Sequence, residues 1–253
     1  MSHSEVQQPL LSVKELSKSF GGVRAVVDIS FDLRQGELLG LIGPNGSGKT
    51  TLVNLITGFI KPDQGKVEFR GQDITGWMPY RIARLGIART FQMARPFAEL
   101  PAFKNLIIPL FSPRVRGLAG GLYGDRDSVS KDLLEEVGFE RESSVTYKPA
   151  GSLPHGYLKR LELAKCLALR ADLIILDELF SGLSIAELAS IVPIIEKLMV
   201  EGKTIIMIEH RLRELFRIAD RAIVLNFGAK VADGKPSDVM ETEEVKQAYL
   251  GTE

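Results

Sequence analysis

Three short runs are apolar almost throughout and rich in Ile and Leu: GELLGLIG ending at Gly43, DLIILDE ending at Glu178, and KTIIMIEH ending at His210. Each is followed by a segment whose apolar positions recur at helical spacing. A strand buried on both faces has no polar side to alternate with, so such runs with helices between them predict a parallel sheet in an α/β architecture. The polar residues that close the runs then sit at strand carboxyl ends, where open α/β sheets bind ligands.

Other segments alternate and carry turn signals. GKVEFRGQDI (65–74) and RAIVLNFGAKVADG (221–234) read as antiparallel hairpins outside the parallel core. FAELPAFKNLIIPLF and SVSKDLLEEVGF suggest helices, and the glycine-rich RGLAGGLYGD between them reads as a loop. No internal repeat or low-complexity tract interrupts the chain.

The 253 residues are 45% hydrophobic and 25% charged, enough for a sizeable core in one large domain or two modest ones. Lys plus Arg and Asp plus Glu balance at 32 each, so there is no basic field of the kind that drives nucleic-acid binding. The single cysteine, Cys166, lies among Leu161, Leu163, Ala164, Leu167 and Leu169 and reads as a small buried hydrophobe. One cysteine excludes a disulfide framework or a cysteine-based zinc site within the chain. MSHSEVQQPL has neither the positive start nor the apolar run of a secretory signal, and no window approaches ~18 uninterrupted apolar residues. The expectation is a cytosolic protein, or one held at a membrane by partners.

GPNGSGKTT, Gly43 to Thr51, fits G-x-x-x-x-G-K-[ST] between a predicted strand and a predicted helix. Glycines let the backbone wrap phosphates, the N–H groups and helix start offer partial positive charge, and Lys49 adds a full one. Thr50 offers its hydroxyl to Mg²⁺. A bare match could be a tight loop only, but the strand before and the helix after argue for the phosphate cradle. A dinucleotide G-x-G-x-x-G does not compete, because Thr51 stands where its third glycine would be. In LIILDE, Asp177 is placed to reach a Mg²⁺ shell and Glu178 to activate a water for in-line attack on a γ-phosphate. Alone, two acids at a strand end could be simply solvated; with the cradle they imply nucleoside triphosphate hydrolysis.

Together, GPNGSGKTT, Gln92 in ARTFQ, LPHGYLKRLELAKCLA, LIILDE with FSGLS behind it, and His210 in IIMIEHRL resemble the ATPase subunit of an ABC transporter over nearly the whole chain. The resemblance implies a P-loop α/β fold with a RecA-like core, an antiparallel β subdomain and an inserted helical subdomain. It implies one nucleotide-binding domain over 1–253, with 1–92 and 158–253 as core and β subdomain and 93–157 as the helical subdomain with its signature loop. ATP and Mg²⁺ are the implied cofactors. Gly43, Pro44, Asn45, Gly46, Ser47, Gly48, Lys49, Thr50 and Thr51 would hold the nucleotide; Thr50, Gln92 and Asp177 the metal. Glu178, His210 and Gln92 match the catalytic set, His210 as the switch histidine whose ring holds Glu178 in place. Phe20 matches the aromatic that stacks on adenine, while from the residues alone it reads equally as a buried core phenylalanine.

RTFQMARPF, the insertion with RGLAGGLYGD and the ending VKQAYLG look most like the branched-chain amino-acid uptake branch. That resemblance implies a second ABC ATPase subunit, two transmembrane permease subunits, a periplasmic solute-binding protein, and a place on the cytoplasmic face of the inner membrane. The family signature L-S-G-G-Q reads here Leu153, Pro154, His155, Gly156, Tyr157. In the family the signature grips the ATP of the partner subunit, and Pro154 removes both a hydroxyl and an N–H donor. Leu179 and Ser184 stand where the family has a proline after the paired acids and the aspartate that ends the D-loop. These departures cluster in the elements lent to a partner, which suggests a heterodimer with unequal sites; the alternative is a tolerated variant that still donates from Gly156 and the N–H groups after it. Competing functions are a lipopolysaccharide-export ATPase, a soluble ABC ATPase of translation or DNA repair, and a metabolic kinase. The last leaves Gln92 and His210 unexplained.

Overall fold

A computed structural model describes residues 8–91, 96–118, 125–141 and 143–250. The first elements are β1 (Leu11–Phe20), β2 (Val23–Leu33), β3 (Leu38–Ile42), α1 (Lys49–Ile56), β4 (Gln64–Phe69), β5 (Gln72–Asp73) and α2 (Pro79–Leu85). Then come β6 (Ile87–Arg89), α3 (Ile107–Leu110), α4 (Pro113–Leu118), α5 (Arg126–Glu136), α6 (Ser144–Tyr147), α7 (His155–Ala168), β7 (Leu173–Asp177), α8 (Ile185–Val200) and β8 (Thr204–Ile208). The last are α9 (Leu212–Ile218), β9 (Arg221–Asn226), β10 (Ala229–Gly234), α10 (Pro236–Glu241) and α11 (Glu243–Leu250). The chain forms two compact units, Met1–Ile82 with Leu212–Glu253, and Ala83–Arg211.

In the first unit β2, β1, β4 and β5 form an antiparallel sheet. Leu11 and Val13 alternate onto the buried face, but Leu16 is one residue out of phase. An irregularity between Val13 and Leu16, with Glu15 at φ +50, absorbs the extra residue and returns Leu16 to the core opposite Ile29. The 65–74 hairpin is β4–β5, and Arg70 and Gly71 both take positive φ, as a tight two-residue turn requires. The 221–234 segment is also a hairpin, but it is not outside the parallel set: β9 lies parallel to β3, with Leu41 opposite Ile223 and Ile42 opposite Val224. The AIVL run of β9 is buried, and that apolar stretch outweighs the turn chemistry that made the segment read as a separate ribbon.

In the second unit β6, β7 and β8 are parallel, with Ile87 opposite Leu173 and Asp177 opposite Ile208. Every residue of β7 and β8 is buried, as their unbroken apolar runs require. α8 connects them and starts at a capping box, Ser184 and Glu187 each satisfying the other's backbone. The helix expected over 97–111 is only partly formed: Phe103–Leu106 is a 3₁₀ turn and α3 adds one turn, after Pro101 has turned aside to bridge Pro149. The helix expected over 128–139 is α5, capped by Asp125. Of the expected glycine-rich loop, 116–118 close α4 and 119–124 lie outside the described residues. Arg114 of α4 ties this unit together, donating to Asp172 Oδ2 at 2.7 Å, Leu85 O at 2.8 Å and Arg170 O at 2.9 Å.

Candidate functional site

The loop from Gly43 to Gly48 leaves the end of β3 and enters α1. Gly43 has φ +147, and a Cβ on it would fall 2.1 Å from Leu225 O; Gly48 has φ +103, and a Cβ there would fall 2.4 Å from Ala25 O. Only glycine fits either position. Lys49 is buried, and its ammonium donates to Gly43 O at 2.8 Å and Pro44 O at 2.9 Å, curling the loop around its own cation. The hairpin turn after β9 supports the loop, Gly228 N–H donating to Ser47 O at 3.1 Å. α1 begins at Lys49 with no side-chain cap, while Leu52, Val53, Leu55 and Ile56 bury its far face. Asn45, Gly46 and Thr50 are exposed, Pro44 and Thr51 partly so, and Ser47 is buried. A loop built on glycine backbone with an embedded ammonium and an uncapped helix start is suited to an anion of phosphate type.

Phe20, at the end of β1, is 46% exposed with the Lys18 ammonium 5.6 Å from its ring centre. The reading of it as a core residue is therefore overturned. Tyr249 of α11 was not anticipated: burial raises its phenol pKa, partly offset by a hydrogen bond from the Gly43 backbone.

In the second unit Asp177 ends β7 almost fully buried, its Oδ2 2.6 Å from the Arg89 guanidinium and its N–H donating to Thr90 Oγ1 at 3.0 Å. Glu178 follows in the left-handed region at φ +51. Its N–H donates to Ile208 O at 2.9 Å, and its Oε1 lies 3.2 Å from His210 Nε2. A carboxylate only accepts, so the imidazole carries its proton on Nε2 in this contact. The structure thus brings Glu178 and His210 together; Gln92 lies outside the described residues.

The signature stretch from Leu153 to Tyr157 leads into the start of α7. Leu153 is buried, Pro154 is the N-cap, and no side chain caps the helix. His155 is exposed and its Nε2 donates to Ser181 O at 3.1 Å. Gly156 is buried, and a Cβ there would meet Glu187 Oε1 at 2.3 Å. Tyr157 stacks edge-on against Phe139, ring centres 4.9 Å apart. Leu179 is fully buried, and Ser184 caps α8, work that aspartate does equally well.

Two residues that bond to the turn carrying Glu178 also escaped the sequence reading. Lys159 is buried and donates to Glu178 O at 2.9 Å; burial pulls its pKa down. Glu209 is buried and accepts from Phe180 N–H at 2.7 Å; burial pushes its carboxyl up to about 8. The available signals were the four-residue spacing from His155 to Lys159 and an acid directly before His210.

Residues 26–181 match the family model described as ABC transporter. The chain belongs to the ABC transporter family. It is an ABC-type ATPase, similar over its length to other nucleotide-binding subunits. It is 36% identical to the high-affinity branched-chain amino acid transport ATP-binding protein LivG of Salmonella typhimurium, over 97% of this chain and 99% of that one. It is 34% identical to the corresponding BraF protein of Pseudomonas aeruginosa, with the same coverage of both. Among solved structures, a nucleotide-free ATP-binding cassette from an ABC transporter superposes with TM-score 0.84 at 30% identity, covering 97% of this chain and all of the other. The ADP conformation of the cassette MJ1267 gives 0.81 at the same identity and coverage. Among the described residues of this ABC ATPase, no helix is long and apolar enough to cross a membrane.

Proposed function

We propose that this ATPase powers the import of amino acids, of the branched-chain class or closely related small polar solutes, through partner permeases. One observation carries the reading: the near full-length similarity to LivG and BraF, both named for branched-chain amino acid transport. The chain serves as one nucleotide-binding domain, with 93–157 as its helical subdomain. It acts on the cytoplasmic face of the inner membrane, attached through two transmembrane permease subunits and supplied by a periplasmic solute-binding protein.

Gly43 to Thr51 hold the ATP phosphates, Lys49 by charge and the loop by its N–H groups. The exposed ring of Phe20 offers a face to adenine. Glu178 takes a proton from the attacking water, and His210 fixes the carboxylate through the 3.2 Å contact. Thr50, Gln92 and Asp177 supply the oxygen donors a hard divalent cation prefers. These residues would hold Mg²⁺, whose charge would offset that of the phosphates.

The signature is lent to a second ABC ATPase subunit, and Pro154 at the N-cap of α7 brings neither hydroxyl nor N–H to that task. A heterodimer follows, in which the site built on this chain's own cradle does most of the work. Reconstitution with the permeases in proteoliposomes tests the reading through uptake of labelled leucine, with Glu178→Gln as the blank. ATP-driven uptake that vanishes in the blank is expected; ATP hydrolysis indifferent to every branched-chain amino acid and binding protein would overturn it. Weak ATPase activity of the chain alone, rising on mixing with the second subunit, is expected for unequal sites.

A further inference from the structure

Helix α7 touches the turn that carries Glu178 at two points. His155 and Lys159 are four residues apart and share one face of the helix. Both reach main-chain carbonyls of the same turn, Lys159 at Glu178 O and His155 at Ser181 O. The turn closes on itself through Ser181 N–H to Glu178 O at 3.2 Å. Its opposite side is fastened to the end of β8, by Glu178 N–H to Ile208 O and by Phe180 N–H to Glu209 Oε1. Gly182 completes the turn at φ +76, where a Cβ would come within 3.0 Å of His155 Nε2. The histidine therefore sits as close to the turn as a glycine permits.

Mere space-filling does not account for this arrangement. Lys159 and Glu209 are each only 2% exposed, and burying ionisable side chains costs free energy that an apolar filler would not. What they supply is direction. A glutamate in the left-handed region persists only where its surroundings over-determine the backbone, and here a donor and an acceptor flank it on either side.

We propose that Lys159 and His155 are positioning residues that hold Glu178 for water activation, so that the hydrolytic carboxylate rides on the signature helix of its own chain. The inference rests on the reading of Glu178 as the general base. His155, where L-S-G-G-Q has a glycine, adds a tie that glycine lacks.

The test compares the parent with Lys159→Met, Lys159→Arg, His155→Phe and Glu178→Gln in the full chain, in whichever subunit mixture gives the highest parental ATPase rate. Steady-state kcat, fluorescent-nucleotide affinity and the urea midpoint are read for each. Lys159→Met is expected to lower kcat about 10- to 100-fold, the range a misplacement of about 1 Å produces, with affinity held within about threefold. Lys159→Arg, which keeps charge and donor, should recover most of the rate. His155→Phe should lower kcat about threefold or more with the urea midpoint unchanged. If Lys159→Met does not fold, His155→Phe and Lys159→Arg still decide. Parental kcat in His155→Phe and Lys159→Met, with Glu178→Gln inactive, overturns the positioning role alone. Parental kcat in Glu178→Gln overturns the general-base reading beneath it.

Discussion

Glu209→Gln separates the charge of a buried carboxyl from its shape. The side chain is 2% exposed, and its Oε1 accepts from Phe180 N–H, a bond that glutamine preserves. Burial moves the carboxyl from the ordinary 4.5 to about 8, against smaller opposing effects of the Phe180 N–H and Lys159. Between those values the native protein keeps a proton that the unfolded chain releases. The resulting stability is fully present below pH 4.5 and is lost as pH rises through 8. Each pH unit inside the window is worth about 1.4 kcal/mol, so between pH 5 and pH 8 the parent should lose about 3–4 kcal/mol relative to Glu209→Gln. In urea this is a midpoint difference on the order of 1 M that opens with pH. Lys159 and Glu209 feel each other's charge, so the difference reports the carboxyl together with its coupling to that lysine. Unfolding curves at half-unit steps from pH 5 to 8.5 measure it directly. Parallel midpoints across that range would show that Glu209 is ionised in the native protein and that the reasoning from burial fails.

Gly43→Ala places a methyl 2.1 Å from Leu225 O at φ +147, and should cost about 2–4 kcal/mol while weakening nucleotide binding, read by thermal unfolding and fluorescent ATP titration. Arg114→Met removes the donors to Asp172 Oδ2 and to the carbonyls of Leu85 and Arg170; a loss of about 1–2 kcal/mol in urea unfolding is expected. Burial pushes the Cys166 thiol up to about 12, so maleimide at pH 8 should label it only as the protein unfolds, with a rate that tracks the urea transition.

The sequence patterns were most informative where one physical demand dominates. LIILD and TIIMI have no polar face and became fully buried parallel strands; GPNGSGKTT places glycine where a Cβ would collide with main chain. They were least informative where a contact joins distant residues. The four-residue spacing from His155 puts Lys159 on one helix face but does not name Glu178 O as its partner, because a lysine four residues into a basic helix reads as solvated until the turn beyond β7 is seen packed on it. β9 was misread because its glycine turn and alternating β10 suggest a free ribbon, whereas its pairing with β3 is a long-range choice. Phe20 was undecided because exposure of one aromatic at a strand end depends on what covers it.

The left-handed backbone at Glu178 sets robustness against turnover. Glycine there would relax the strain and firm the fold by about 1 kcal/mol, as would asparagine to a lesser degree. With Glu178 as the proposed general base, screens that reward thermal stability alone will drift toward glycine at this position and harvest a sturdier ATPase of lower turnover. Selection for growth on a scarce transported solute will hold the glutamate in place, strain included, and a library sorted under both pressures should split at this one codon.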